Sequence, residues 1–215
     1  MEFRKIEDLT DWNRKQAYEH FTHNVKNTIT LTADIDVTNV VVQCKEKQLR
    51  FYASFIHLVS AAVNKFDEFK MGYDEQGNAG IWQNVSPSYT MFHDEDHSFH
   101  NLYTAYDPSF ATFYKNAVGD IEANRDTAGI DWSNTPRNLF YISCIPWMYY
   151  KDFSLQMYNE RPNLEPIITW GKYQSINGRL MLPFTIQISH AAAVGYHISQ
   201  LYAELQQLSN DFCPM

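Results

Sequence analysis

The sequence predicts an α/β fold in which a single mixed β-sheet is flanked by helices. Segments in which apolar and polar residues alternate, as they do in strands, are interspersed with segments whose apolar residues recur at helical spacing. A "SINGR" turn joins the last two strand-like segments directly. Because parallel neighbours need a long crossover connection, this direct turn indicates an antiparallel pair and therefore a mixed sheet.

Four helices are predicted, and the first of them is short. A Thr/Asp cap signal precedes the first helix, Pro108 opens the third, and Gly195 offers a break before the fourth. The second helix should be mostly buried, because large apolar side chains such as Phe51 and Phe55 share one face. The helices are predicted over residues 11–21, 49–66, 108–126 and the segment that follows Gly195.

Six strands are predicted from alternating hydrophobicity, and the last of them leads to a histidine. In that strand Phe184 and Ile186 fall on the face opposite Thr185, which predicts one buried and one exposed face. His190 follows at the strand exit, where a scaffold commonly displays a reactive side chain; a hydrogen-bonded structural histidine is the alternative. The strands are predicted over 27–37, 80–85, 88–93, 138–147, 165–173 and 180–189.

Length and composition favour one soluble domain spanning residues 1–215. No apolar stretch reaches the length of a membrane span, and the N-terminus lacks the layout of a signal peptide. The three widely spaced cysteines fit a reducing cytoplasm. The net charge of −8, with scattered Lys and Arg, argues against a nucleic-acid partner. The 14 Tyr and 14 Phe suit a subunit interface or the wall of a small-molecule pocket.

Common catalytic and metal-binding motifs are absent from the sequence, with one ambiguous exception. There is no Gly-rich phosphate loop, CxxC pair or GxSxG elbow. The stretch "FHDEDHSFH" places His93, His97 and His100 at a spacing that could ligate a metal if the segment were helical. Its acidic composition favours a solvated loop instead, and we expect no metal requirement.

Ordered motifs over almost the whole chain resemble those of one enzyme family. They read "WNRK", "AAVNKFDEFK", "PSYTMFH", "YISCIPW", "PIITWGKY" and "LPFTIQIS", followed by "SHAAAVGYH" at 189–197. They resemble the trimeric, coenzyme A-dependent chloramphenicol acetyltransferases, whose late signature is H-H-x-x-x-D-G-[FY]-H. The resemblance implies the coenzyme A-dependent acyltransferase fold. It also implies O-acetylation of chloramphenicol, or of a related small alcohol, by acetyl-CoA, which is an antibiotic-resistance activity.

The resemblance also implies roles for three candidate catalytic residues. His190 matches the general base that takes a proton from the substrate hydroxyl, and a free imidazole titrates near pH ~6.5, which suits that task. Ser143 matches a serine that donates a hydrogen bond to the tetrahedral oxyanion. Thr169 matches a threonine that helps hold the intermediate through water.

Substrate-binding residues follow from the same alignment. Lys172 and Tyr173 fall where the family contacts coenzyme A. The acceptor pocket is implied to be lined by Phe99, Ile29 and Leu155, with Phe21 where many members have a tyrosine. The family is a homotrimer in which the base of one subunit faces a pocket built largely by its neighbour, so active sites are expected at subunit interfaces.

The chain departs from the family signature at two positions. Val194 replaces the aspartate that pairs with a buried arginine, which is Arg14 here, and Ser189 replaces the first histidine. Removing one partner of a buried ion pair costs about 3–5 kcal/mol, so Arg14 must find another acceptor, reach water or destabilise the site. An alternative function follows, namely a weakened or inactive homologue that binds a small aromatic ligand without efficient turnover.

Overall fold

The computed structural model describes residues 2–127, 135–155, 157 and 160–214. Within these ranges it contains ten strands and five α-helices. The strands are β1 Phe3–Lys5, β2 Thr28–Asp36, β3 Met71–Tyr73, β4 Ala79–Trp82, β5 Ser86–Phe92, β6 Phe99–Tyr103, β7 Leu139–Ile145, β8 Ile167–Gly171, β9 Gln174–Ile176 and β10 Arg179–Ser189. The helices are α1 Lys15–Glu19, α2 Thr38–Glu46, α3 Phe51–Asn64, α4 Phe110–Ala123 and α5 Gly195–Asn210.

The main sheet is mixed, as the sequence predicts. Its strands follow the order β2-β10-β8-β7-β5-β6, and β9 pairs with β10. The pairs β5–β7 and β7–β8 are parallel, and the other pairs in this sheet are antiparallel. A small sheet of order β1-β4-β3 lies apart from it. Among the described residues, no helix has both the length and the apolarity that crossing a bilayer requires.

The helices α3 and α5 cover one face of the main sheet with aromatic side chains. The ring of Phe55 in α3 lies 5.1 Å from Trp170 of β8 and 6.4 Å from Phe184 of β10, measured between centroids. Tyr202 of α5 stands edge-on to Phe184 at 5.4 Å. Most of α3 is buried, which confirms the sequence prediction and follows from the apolar side chains that this helix presents.

The prediction that one face of β10 is exposed is wrong. Residues 182–189 are buried on both faces, because β10 lies inside the sheet between β2 and β8 and its polar side chains are covered as well. Thr185 Oγ1 lies 2.8 Å from Thr32 Oγ1, and Gln187 Oε1 accepts from the backbone N of Leu155 at 3.1 Å. The residues of β10 do alternate between apolar and polar, as the sequence shows. The polar side chains, however, make hydrogen bonds within the protein instead of with water.

Five elements are missed by the sequence prediction, namely α2 and the short strands β1, β3, β6 and β9, and one is displaced. α2 is missed because Thr38, Val40 and Val41 are β-branched and weaken the helical signal, whereas burial against the core stabilises the helix. β6 lies partly within the stretch predicted to be a loop, where only 93–98 lies outside the strands. The helix predicted over 11–21 begins at Lys15 and continues into a π-helical turn over His20–Asn24.

Candidate active site

Four hydroxyl side chains form a row across the sheet, on the face opposite α3. Ser143 of β7 pairs in register with Thr169 of β8, Thr169 with Thr185 of β10, and Thr185 with Thr32 of β2. Since Trp170 and Phe184 contact α3, the residues before and after them point to the other face. The sequence resemblance identified two members of this row, Ser143 and Thr169. The register adds the other two.

The hydroxyl row is held by a buried tyrosine that the sequence did not single out. The Tyr150 hydroxyl donates to the backbone O of Thr169 at 2.7 Å and lies 3.1 Å from Thr185 Oγ1. Burial raises the pKa of Tyr150 to about 12, so the phenol remains a hydrogen-bond donor at neutral pH. Thr169 is itself only 2 % exposed, which leaves its position in the row closely constrained.

His190 lies at the exit of β10, as predicted, with its ring against Phe21. The ring centroids are 3.9 Å apart with an interplanar angle of 37°, and the His190 backbone N donates to Asn27 O at 3.0 Å. Its Nδ1 is buried and has no hydrogen-bond partner among the residues that the structure describes. The imidazole is therefore placed by its tilted ring contact with Phe21 and by its backbone rather than by a side-chain hydrogen bond at Nδ1.

The loop that carries His190 is attached to Arg14, which finds another acceptor, one of the three outcomes expected for it. Arg14 Nη2 donates to the backbone O of Ala191 at 3.1 Å, and Nη1 lies 3.2 Å from Nδ1 of His197. Arg14 is 8 % exposed, and burial lowers its pKa while Glu68 opposes that shift. The Val194 side chain has no hydrogen-bond acceptor, so the Ala191 carbonyl and the His197 imidazole serve as the partners of Arg14 in place of the family's aspartate.

His197 receives two donors on the same nitrogen. Besides Arg14, the backbone N of Val194 donates to His197 Nδ1 at 3.1 Å, which caps the first turn of α5. Two donors on Nδ1 assign the ring proton to Nε2, which lies 3.4 Å from Oε1 of Glu68. Burial lowers the pKa of His197, Glu68 raises it and Arg14 lowers it, and the net lowering favours the neutral ring.

A single chain does not bring His190 to the hydroxyl row. His190 lies five residues beyond Thr185 along the chain, which corresponds to about 17 Å at the rise of an extended strand. Ser143 is two strand spacings further across the sheet, or about 10 Å. Direct proton transfer and oxyanion stabilisation at one carbon need groups within about 3 Å of the reacting atoms.

Lys172 and Tyr173, the residues expected to contact coenzyme A, line a largely apolar cavity of about 470 Å³. The cavity lies between α3 and the ends of β7 and β8, and the ring of Phe51 stands 5.7 Å from Tyr173. Burial raises the pKa of Cys144, a further wall residue, to about 12, so this thiol stays protonated at neutral pH. The sequence did not identify the other wall residues, which include Tyr52, Met91, Pro146 and Trp170.

The structure does not bring the four predicted acceptor-pocket residues together within one chain. Phe99 lies on β6 and Ile29 on β2, the two opposite edges of the sheet. Ile29 pairs with Ile188 and packs against the core, on the face away from the hydroxyl row. Leu155 lines a separate cavity of about 280 Å³, whose walls also include Lys26, Asn27, Thr28, Thr30, Asn163, Gln187 and Ser189. Phe21 contacts His190 instead.

The three histidines of the "FHDEDHSFH" stretch do not converge. Nε2 of His93 lies 2.7 Å from Nδ1 of His100, which is buried inside β6, whereas the ring of His97 stacks on Phe92 at 6.2 Å. In the part of the chain that the structure describes, no three potential metal ligands come together. This arrangement is that of a hairpin turn in which the buried His100 pairs with the partly exposed His93.

Comparison with known proteins defines first a class and then a family. A solved chloramphenicol acetyltransferase superposes with a TM-score of 0.81 at 21 % identity over 95 % of this chain and 98 % of that one. A probable dihydrolipoamide acetyltransferase from Listeria monocytogenes superposes with a TM-score of 0.63 at 11 % identity, covering 93 % and 92 %. The fold is that of the coenzyme A-dependent acyltransferases.

Sequence relatives then give the family. The family model for chloramphenicol acetyltransferase matches residues 1–206. Chloramphenicol acetyltransferases from Clostridium butyricum and Clostridium perfringens are 38 % and 36 % identical over 213 residues, or 99 % of this chain and 97 % of each relative. The chain belongs to the chloramphenicol acetyltransferase family and is an acetyltransferase of that family.

Proposed function

We propose that this protein transfers the acetyl group of acetyl-CoA to a hydroxyl of chloramphenicol or a related small alcohol, with His190 as the general base. The observation that carries the proposal is the His190 imidazole at the exit of β10, held against Phe21 within a chain of this family. Here the imidazole accepts the hydroxyl proton while the hydroxyl oxygen attacks the thioester carbonyl.

The remaining steps use the hydroxyl row. The Ser143 hydroxyl donates a hydrogen bond to the oxyanion of the tetrahedral intermediate, and Thr169 supports that intermediate through water. Collapse of the intermediate breaks the carbon–sulfur bond, releases the acetyl ester and returns the proton from His190 to the departing thiolate. Tyr150 supports this assignment, because its hydrogen bonds to Thr169 and Thr185 keep the row preorganised.

The active form proposed here is a homotrimer with sites at the subunit interfaces. The separation of His190 from Ser143 supports this, because a second copy can supply the missing half of each site. Large exposed apolar side chains support it too, since they suit an interface: Leu31, Phe99, Tyr103, Trp147, Met148, Leu155 and Met157 are each at least 37 % exposed.

Acetyl-CoA is the proposed co-substrate, and its site is the cavity beside Lys172 and Tyr173. The Lys172 cation is exposed and can contact phosphate, while the aromatic and apolar walls suit the pantetheine arm. No metal is required in this scheme. A cytoplasmic location completes the proposal, because the free thiols of Cys44, Cys144 and Cys213 fit a reducing compartment.

The test is thiol release from acetyl-CoA, measured with and without chloramphenicol. We expect release that depends on chloramphenicol and a product whose mass increases by one acetyl group. Chloramphenicol binding without thiol release would identify the alternative, a homologue that binds a small aromatic ligand without turnover. Neither binding nor release would contradict both functions for chloramphenicol itself.

The interfacial site predicts complementation between two inactive variants. In trimers that contain both His190→Ala and Ser143→Ala chains, one site in each trimer pairs the intact His190 of one chain with the intact Ser143 of its neighbour, so about a third of native activity should be restored. Differently tagged chains are co-expressed, the mixed oligomers are isolated through both tags, and their rate is compared with that of each variant alone. Activity no greater than that of the separate variants would contradict an interfacial site.

A further inference from the structure

We propose that Glu68, acting through His197 and Arg14, is the positioning residue for the loop that carries His190, and that it replaces the carboxylate absent at position 194. The catalytic readout of this inference rests on the proposed function. The structural readout described below does not.

The loop over residues 190–194 is short and is attached at several points. Its Ala191 carbonyl accepts from Arg14, and its Val194 N–H donates to His197. The Ala191 N–H donates back to Ser189 Oγ at 3.2 Å, which closes a local turn at the end of β10. Arg14 and His197 supply side-chain attachments from outside the loop and its flanking strand, in addition to the backbone hydrogen bond from His190 N to Asn27 O.

The three side chains of this cluster come from parts of the chain that are distant in sequence. Arg14 immediately precedes α1, Glu68 lies in a 3₁₀ turn over Asp67–Phe69, and His197 lies in the first turn of α5. They meet as a chain of contacts in which Glu68 faces His197 Nε2, and His197 Nδ1 faces Arg14 Nη1. The last link is from Arg14 to the Ala191 carbonyl.

Charge explains why Glu68 matters to a buried guanidinium. Arg14 is buried and needs compensation for the lost hydration of its charge. Its direct partners, a carbonyl oxygen and an imidazole, are both neutral when His197 is unprotonated. Glu68 supplies a negative charge next to His197, and this charge raises the pKa of Arg14 against the lowering caused by burial. Its neighbour Asp67 is engaged elsewhere, with Arg4 and Lys70.

The tautomer of His197 also depends on Glu68. Nδ1 accepts from both Arg14 and the Val194 N–H only when the ring proton is on Nε2. The charge of the Glu68 carboxylate, with Oε1 3.4 Å from Nε2, favours a proton on that nitrogen. The charged groups that face His197 in the described structure are therefore Arg14 and Glu68, and the nearby ring of Tyr196 stands edge-on at 5.6 Å. Removing the carboxylate releases the ring and, with it, both loop attachments.

The test is a double-mutant cycle between Glu68→Gln and Val194→Asp. Glu68→Gln should lower kcat by about 10–10²-fold with both KM values nearly unchanged, because a displaced base affects chemistry more than binding. Val194→Asp in the native background should not raise kcat, since Arg14 is already compensated. In the Glu68→Gln background the same substitution should restore most of the lost rate, because it returns a carboxylate to Arg14.

The matched control is Asp67→Asn, which removes a carboxylate from the same turn but leaves His197 untouched. We expect its kcat to remain within about twofold of native. The structural readout is amide hydrogen exchange at Ala191 and Val194, which Glu68→Gln should accelerate by about tenfold or more and Asp67→Asn should not. If the native protein showed no acetyl transfer but exchange changed as expected, the proposed function would fail and this inference would stand.

Three results would overturn the inference. The first is a native kcat and native exchange in Glu68→Gln. The second is an equal effect of Val194→Asp in both backgrounds, which would make the two positions independent. The third applies if Glu68→Gln alone yields no folded protein: the doubly substituted chain should then fold, and its failure to do so would exclude replacement of one carboxylate by the other.

Discussion

His190→Ala should lower kcat for acetyl transfer by about 10²–10⁴-fold, the range typical of losing a general base. The physical reason is that without the base the acceptor hydroxyl keeps its proton during the attack. The attacking oxygen then carries an uncompensated positive charge in the transition state. The fold should persist, because the side chain is partly exposed and its Nδ1 makes no hydrogen bond to the described residues. Steady-state kinetics and circular dichroism of the purified variant measure both effects.

The matched control for this substitution is His20→Ala. The ring of His20 also contacts Phe21, edge-on at 5.0 Å, so the control disturbs the same aromatic side chain without touching the proposed base. We expect its kcat to stay within about threefold of native. A His190→Ala variant that is folded and nearly as fast as the control would exclude His190 as the general base.

Ser143→Ala should lower kcat by about 10²–10³-fold with little change in KM, because an oxyanion donor acts mainly in the transition state. The loss should be the same with several acceptor alcohols, since the oxyanion forms on the acetyl carbon and not on the acceptor. The rate is measured at saturating acetyl-CoA, and KM is measured for both substrates.

Ser88→Ala provides a control on the neighbouring strand. Ser88 of β5 pairs with Tyr141 of β7, so its side chain shares the sheet face of Ser143, two residues further along. Its removal should leave kcat within about twofold of native. A Ser143→Ala variant that raises KM at constant kcat would instead make Ser143 a ground-state binding residue.

Local periodicity predicted most of the elements that place the site. The mixed sheet, α3, α4, β10 and α5 all follow from apolar spacing, because such spacing survives in one dimension. Periodicity failed where the local signal of a segment conflicted with the tertiary environment of that segment. α2 is rich in β-branched residues and was missed, and β6 was hidden by the acidic turn before it. Burial against the core stabilises α2, and pairing with β5 stabilises β6, so tertiary contacts outweighed the local signal in both cases.

The sequence alone determined the fold class, the family resemblance and the position of His190 at a strand exit, because each depends on residues close together in the chain or on ordered motifs. Only the tertiary structure decided which groups compensate the buried charge of Arg14, since residues 14, 68 and 197 meet only after folding. It also showed that His190 and Ser143 lie far apart in one chain. The physical reason is that burial and hydrogen-bond satisfaction are properties of the packed molecule, whereas periodicity is a property of the chain.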